Sequence, residues 1–311
     1  VNHLLISGSN GFIGSALVPF LQSEGHKITR LVRQRPPLHS AAIVWNPGAE
    51  FNLPHEAHFD AVVHLAGESI VGFWTTEKKR RIKESRVNGT LSLCRALAKL
   101  AKPPAMLICA SAIGLYGDCG EKTADEDSPY GAGFLAEVCR DWEAACEPAH
   151  RAGMRVINLR LGAVLSPRGG ILGRLIPIFK LGLGGRLGNG NQAFSWLALQ
   201  DLLAIVSFCL KNKNLSGPIN ATSPNPLPNR EFTKLLATAL GRPAFCHVPA
   251  LALRLLFGGM AEEVLLRSSN VQPRKLLAAG YKFIYPHLED LLSAEIRLPA
   301  ENSGTPGGRA V

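Results

Sequence analysis

Two hydrophobic patterns alternate through the first half of the chain. Short runs rich in Val, Ile and Leu stand at HLLIS (3–7), KITRLV (27–32), AIVWN (42–46), DAVVHLA (60–66), AMLICAS (105–111) and RVINLRLG (155–162). Between several of them lie stretches with helical spacing, near residues 15–24, 77–101 and 134–151. Strands that are apolar almost without interruption leave no face for water. The alternation therefore predicts a parallel sheet covered by helices on both faces. After Gly162 the texture changes: SPRGGILGRLIPIFKLGLGGRLGNG is rich in glycine, and SGPINATSPNPLPNREF in proline and asparagine. Loops around short elements are expected there, with helices near 199–213 and 229–240. From Val248 the spacing predicts short helices, a strand or turn at GYKFIYP, and a last helix near 286–296. The terminal PAENSGTPGGRAV has no apolar period and reads as a frayed tail.

The first apolar run meets Gly8, Gly11 and Gly14 and then opens a helix near Phe12. A tight strand-to-helix turn needs a residue tolerant of positive φ, and close approach of a pyrophosphate requires that no Cβ intervene. The first turn of the helix then aims free N–H groups and its positive end at the phosphates. Asn10, Phe12 and Ile13 belong to the same turn. A dinucleotide site usually carries an acidic residue at the end of the second strand to hold the ribose hydroxyls. Here that strand ends RLVRQRPP, with Arg33 and Arg35 in place of a carboxylate. Guanidinium suits a 2′-phosphate, which selects NADP(H) over NAD(H), with Arg33 ahead of Arg35. The fold class is α/β: a Rossmann-type doubly wound parallel sheet with a smaller C-terminal substrate lobe. The expected organisation is a cofactor domain over 1–165, its sheet completed by part of 195–222. Mixed substrate-side segments follow over 166–247, a small helical lobe over 248–298, and a disordered tail over 299–311.

Composition narrows the function. A chain of 311 residues that is 46% hydrophobic can bury a large core. No apolar run is long enough to span a membrane, and the absence of a leader pattern favours the cytoplasm. The seven cysteines contain no Cys-x-x-Cys pair and read as reduced, mostly buried side chains, so no metal is expected. The net charge of +10 invites a nucleic-acid reading. Its densest run, EKKRRIKESR from Glu77 to Arg86, lacks interleaved aromatics and reads as a solvated helix face, which argues against nucleic acid. A positive field around an anion-binding cleft accounts for the same charge.

With ISGSNGFIG, VVHLAGE, RVNGT and ASAIGLYGD on the page, the chain resembles the extended short-chain dehydrogenase/reductases of the NAD(P)-dependent epimerase-like group. LRLGAVLSPRGGILG, KLGLGGRLGNGNQAFSW and the lobe from about Val248 resemble an atypical subfamily, epimerase-like or cell-division-inhibitor-like, with a C-terminal domain of unknown function. The resemblance implies that Leu65, Ala66, Gly67 and Glu68, after the fourth strand, run along the cofactor. It places Arg86 on the following helix, Ser111 beneath the nicotinamide ribose, Arg160 at the end of the sixth strand and Val164 near the nicotinamide. Trp196 and Tyr116 would line the substrate cleft.

The family's chemistry uses a Tyr-x-x-x-Lys pair, in which the ammonium brings the phenol towards neutrality. Four residues after Tyr116, Tyr130, Tyr281 and Tyr285 stand Gly120, Phe134, Tyr285 and Glu289, so no pair exists. The motif position falls on Phe134 and Val138, and the family's catalytic hydroxyl on Ala112, with Ser111 one residue away. Tyr116 and Ser111 are the remaining catalytic candidates, with Glu68 a further candidate acid. His64, within a strand, reads as a satisfied buried residue, and ADEDSP (124–129) as an exposed acidic turn with a helix-start signal. The subfamily loop resembles PWIHIDDL, but this chain reads SWLALQDL, retaining Trp196 and Asp201. Two functions stay open. One is an NADP(H)-dependent oxidoreductase acting on a small polar substrate, nucleotide-linked compounds included. The other is a non-catalytic NADP(H)-binding redox sensor acting through a protein partner. The retained cleft favours the enzyme, the lost pair the sensor, and nothing in the sequence sets an oligomeric state.

Overall fold

A computed structural model describes residues 2–34, 41–47 and 51–296. Arg35 and the tail 299–311 lie outside the described residues. The apolar runs of the first half form β1 (His3–Ser7), β2 (Lys27–Val32), β3 (Ala42–Val44), β4 (Ala61–His64), β5 (Met106–Ala112) and β6 (Arg155–Leu161). Between them lie α1 (Phe12–Ser23), α2 (Thr76–Ala98), α3 (Phe134–Ala144) and α4 (Glu147–Arg151). The second half supplies β7 (Ala163–Ser166), α5 (Gly170–Lys180), β8 (Gly185–Leu187), β9 (Ala193–Phe194), β10 (Trp196–Ala198) and α6 (Leu199–Lys211). It continues with β11 (Gly217–Ala221), β12 (Leu227–Pro228), α7 (Asn229–Ala239), β13 (Cys246–Val248), α8 (Ala250–Phe257), α9 (Arg274–Ala278) and α10 (Leu288–Ile296).

Seven strands make one parallel sheet in the order β11-β6-β5-β4-β1-β2-β3. The direction of winding reverses between β1 and β4, the crevice where doubly wound sheets bind their ligands. Both faces of the sheet are covered. Leu4, Ile6, Val63 and Ile108 pack against Leu17 and Leu21 of α1 and Leu202 and Ile205 of α6. The alternate residues Leu5, Val62 and Leu107 pack against Leu93 and Leu97 of α2. This two-sided burial explains why the strands read as unbroken apolar runs. A third core, built on Phe179, Trp196, Phe232, Leu236 and Leu291, holds the smaller lobe together.

Two local expectations are corrected. Of the strand or turn expected at GYKFIYP no strand forms, and a buried carboxylate takes the N–H groups of Ile284 and Tyr285. Asp201 Oδ1 accepts the N–H of Ile284 at 2.7 Å, and Oδ2 accepts that of Tyr285 at 2.9 Å. The acidic run ADEDSP is a turn held by Asp125 Oδ1, which accepts from Asp127 N at 3.0 Å, and no helix begins there. Its Glu126 is buried rather than solvated. Glu126 Oε1 accepts the N–H of Asn220 at 3.0 Å and of Lys275 at 3.3 Å, tying the turn to β11 and α9.

Candidate functional site

The glycine loop is built by exclusion. Gly8 has φ +71°, and a Cβ there would stand 2.7 Å from the carbonyl carbon of Leu65. A Cβ on Gly14 would stand 2.2 Å from the carbonyl oxygen of Gly8, so α1 can close on the loop only as glycine. Gly11 and Asn10 are exposed at the lip. Among the described residues no side chain caps α1, and none hydrogen-bonds the buried Ser9 Oγ. An uncapped helix start beside an orphaned buried hydroxyl fits an anionic group placed against the loop. The Phe12 ring lies over the Gly169–Gly170 turn, 2.6 Å from where a Cβ on Gly169 would sit, and Ile13 packs on the sheet core.

The β4 end forms the other wall. Ser7 Oγ accepts the N–H groups of Leu65 at 3.2 Å and Ala66 at 3.3 Å and bonds His64 Nδ1 at 2.6 Å. His64 Nε2 meets Thr90 Oγ1 at 3.0 Å, so both ring nitrogens are used within the core. Arg86 Nη1 donates to the Glu68 carbonyl at 2.9 Å, and its guanidinium stacks over the Trp142 ring. A Cβ on Gly67 would stand 3.4 Å from that guanidinium. Arg33 is exposed just past the carboxyl end of β2. The Glu68 carboxylate pairs with Lys78 at 2.7 Å, and this hydrogen bond, with the charges of Lys78, Arg81 and Arg33, lowers its pKa. Glu68 is therefore an ionised, paired group rather than a proton donor. Lys78 was hidden within the charged run, where only its spacing to a loop far behind it could have singled it out.

Ser111, Tyr116 and Arg160 come together, but inside the protein. Arg160 is 2% exposed and binds Glu143 through two hydrogen bonds of 2.9 Å. Ser111 Oγ donates to the same carboxylate at 2.7 Å. Arg160 Nη1 also donates to the Tyr116 hydroxyl at 2.8 Å, and that hydroxyl donates to Asn220 Oδ1 at 2.7 Å. Burial pushes the Tyr116 pKa up to about 12, although Arg160 and Asn220 act against the rise. Burial also opposes the Arg160 charge, but the hydrogen bonds and charge of Glu143 outweigh it and hold the guanidinium pKa above its ordinary value. The network is a neutral phenol locked to a buried ion pair. Glu143 and Asn220 were missed by sequence reasoning, which had no local signal for a helix residue meeting two strand residues.

Phe134 and Val138 occupy the start of α3 and Ala112 the end of β5, so neither phenol, ammonium nor hydroxyl stands at those positions. Val164 lies in β7, paired with Leu197 of β10. Trp196 is 0% exposed, with Nε1 donating to the Asn225 carbonyl at 3.1 Å, which places its ring in the lobe core. Among the described residues no group of His, Cys, Asp or Glu is arranged to hold a metal ion, and no helix is long and apolar enough to cross a membrane.

A glycine cradle at the switch point of a doubly wound sheet defines a dinucleotide-binding protein. Residues 4–221 match the NAD dependent epimerase/dehydratase family, to which the chain belongs, and residues 248–295 match a domain of unknown function, DUF1731. It is 43% identical over 281 residues to the epimerase family protein Mb2239 of Mycobacterium bovis, covering 89% of this chain and 92% of that one. A crystal structure of the human epimerase family protein SDR39U1 with NADPH superposes with a TM-score of 0.88 at 32% identity, over 94% of this chain and 99% of the other. The nucleoside-diphosphate sugar epimerase of Corynebacterium glutamicum superposes with a TM-score of 0.79 at 36% identity, over 95% of this chain and 58% of the other.

Proposed function

We propose that the protein is an NADP(H)-dependent oxidoreductase of the epimerase type, acting on a small polar, nucleotide-linked substrate without a Tyr-x-x-x-Lys pair. The observation that carries the cofactor assignment is the exposed Arg33 at the end of β2, where a ribose-binding carboxylate would otherwise stand. The NADPH in the human relative supports the same reading. Arg33, with Arg35 beyond it, would hold the 2′-phosphate. The backbone of Gly8–Gly14 with Ser9 Oγ would hold the pyrophosphate, and Leu65, Ala66 and Gly67 would border the adenosine. Arg86 acts as a positioning residue that fixes the Gly67–Glu68 turn through the Glu68 carbonyl. Ser111 and Arg160 act in the same way from below, with Val164 towards the nicotinamide end.

When bound, the nicotinamide supplies hydride chemistry, and the protein's part is orientation and proton supply. Tyr116, neutral at pH 7 and already donating to Asn220, does not serve as the base in this geometry. The proton is exchanged with the substrate itself or with ordered water, while the Tyr116–Arg160–Glu143 network fixes the floor of the cleft. That lock is also what favours a second reading, a redox sensor that binds NADP(H) and signals through a protein partner without turnover. Incubation with 4-deuterated NADPH and a panel of carbonyl and sugar-nucleotide compounds separates the two. Deuterium in a product establishes the enzyme, whereas tight cofactor binding with no labelled product across the panel establishes the sensor.

A further inference from the structure

Basic side chains crowd a second concavity, away from the glycine loop. The cavity, of about 390 Å³, lies between α7 and the β8–β13 ribbon of the smaller lobe. Arg186, Arg230, Lys234 and Arg242 line it together with His247, and no carboxylate stands among its lining residues. All four cations are exposed. The stems of Arg186 and Arg230 converge on Gly190: a Cβ there would stand 3.4 Å and 3.1 Å from their Cβ atoms. Among the described residues Arg230 donates to the neutral amide oxygen of Asn191, beside the cavity. Some other surface arginines are matched to acids, as Arg80 is with Glu77 and Glu84, and Arg274 with Asp125 and Asp127. Four like charges around one concavity repel, water and salt screen that repulsion in part, and a bound anion relieves it further. Guanidinium forks match phosphate oxygens in pairs, and a lysine adds a point charge.

The aromatic component defines the rest of the ligand. Phe245, at the mouth of the same cavity, is 90% exposed, so its ring face is free to stack on a planar base. A bounded cavity of this volume suits a small molecule, whereas a nucleic-acid strand needs an extended groove with repeated aromatic platforms. We propose that this cavity is a second, accessory site that binds a nucleoside diphosphate, with its phosphates among Arg186, Arg230, Lys234 and Arg242 and its base against Phe245. None of these residues belongs to the cofactor cleft, so the proposal goes beyond the reading of that cleft and stands or falls separately from it.

The test is equilibrium dialysis of radiolabelled ADP and of inorganic pyrophosphate against the full chain saturated with NADPH. A site that both probes occupy under these conditions is expected, with binding that weakens as salt is raised. Lys234→Glu with Arg242→Glu, both on the surface, should weaken both probes at least tenfold while leaving NADPH titration and the melting temperature unchanged. Phe245→Ala should weaken ADP several-fold and leave pyrophosphate unaffected. Three results overturn the proposal: ADP that NADPH displaces completely, ADP binding indifferent to the charge reversals, or binding to phosphatidylglycerol vesicles that needs these residues while free ADP does not bind.

Discussion

Replacing Arg160 with methionine tests the buried network most severely. The substitution removes two hydrogen bonds of 2.9 Å to Glu143 and the donor to the Tyr116 hydroxyl. Among the described residues it leaves the Glu143 carboxylate, whose side chain is 9% exposed, with only the Ser111 hydroxyl as a partner. Breaking a buried ion pair from one side costs about 3–5 kcal/mol, because the remaining charge stays desolvated and unpaired. Unfolding entropy of roughly 2 cal/mol/K per residue makes each kcal/mol worth about 1.5 °C in a chain of this length, so Arg160→Met should melt roughly 5–8 °C lower. Glu143→Leu alone should be similarly damaging, since it strands the guanidinium. The double variant removes both charges, and its loss should be smaller than the sum of the single losses by at least about 2 kcal/mol. Urea unfolding of the four proteins supplies the cycle. Additive losses, or an Arg160→Met variant within about 1 kcal/mol of the parent, would refute the argument that the pair is mutually dependent.

His64 makes stability depend on pH. Burial lowers its pKa from 6.5 to about 4, so the unfolded chain binds the proton more readily than the folded one between those values. This contribution is complete above pH 6.5 and is lost as pH falls to 4, by about 3 kcal/mol, and urea midpoints for the parent and His64→Gln should converge over that range. Gly14→Ala places a Cβ against the Gly8 carbonyl oxygen and should abolish NADPH binding in calorimetry, while tight binding by that variant would contradict the tightness of the loop. Trp196→Ala should lower the urea midpoint by the equivalent of about 3–5 kcal/mol, as a core deletion does, and a change in substrate affinity at unaltered stability would contradict its burial.

The parallel sheet was legible through its inner strands, which are buried on both faces and therefore apolar almost throughout, whereas the edge strand β11, GPINA, carried no such signal. The glycine loop was legible because its glycines recur at fixed intervals, and close approaches at Gly8 and Gly14 exclude a Cβ there. Those signals are local. The buried network was not legible in the same way: Arg160 and Glu143 meet only because β6 passes beneath α3, and no spacing along the chain encodes that crossing. Tyr116 was read as a cleft residue from the resemblance, but whether a side chain at a strand end faces the cleft or the interior is decided by what packs above it. Asn220 of β11 accepts its hydrogen bond there. Trp196 was read from the resemblance, and the pairing of β10 with β7 turns it into the lobe core instead. GYKFIYP was expected to form a strand or a turn, and it forms no strand. Asp201, some eighty residues earlier, takes the N–H groups of Ile284 and Tyr285 in place of a neighbouring strand.

The account rests on a phosphorylated dinucleotide held between the glycine loop and Arg33. Calorimetric titration of the purified protein with NADPH and with NADH, repeated on Arg33→Ala, tests this most directly. A charge-assisted hydrogen bond to the 2′-phosphate is worth about 1.5–3 kcal/mol, so NADPH should bind at least roughly tenfold tighter than NADH to the parent protein. Arg33→Ala should lose most of that preference while keeping its NADH affinity. An absence of heat with either nucleotide, or a preference that Arg33→Ala leaves unchanged, would contradict it.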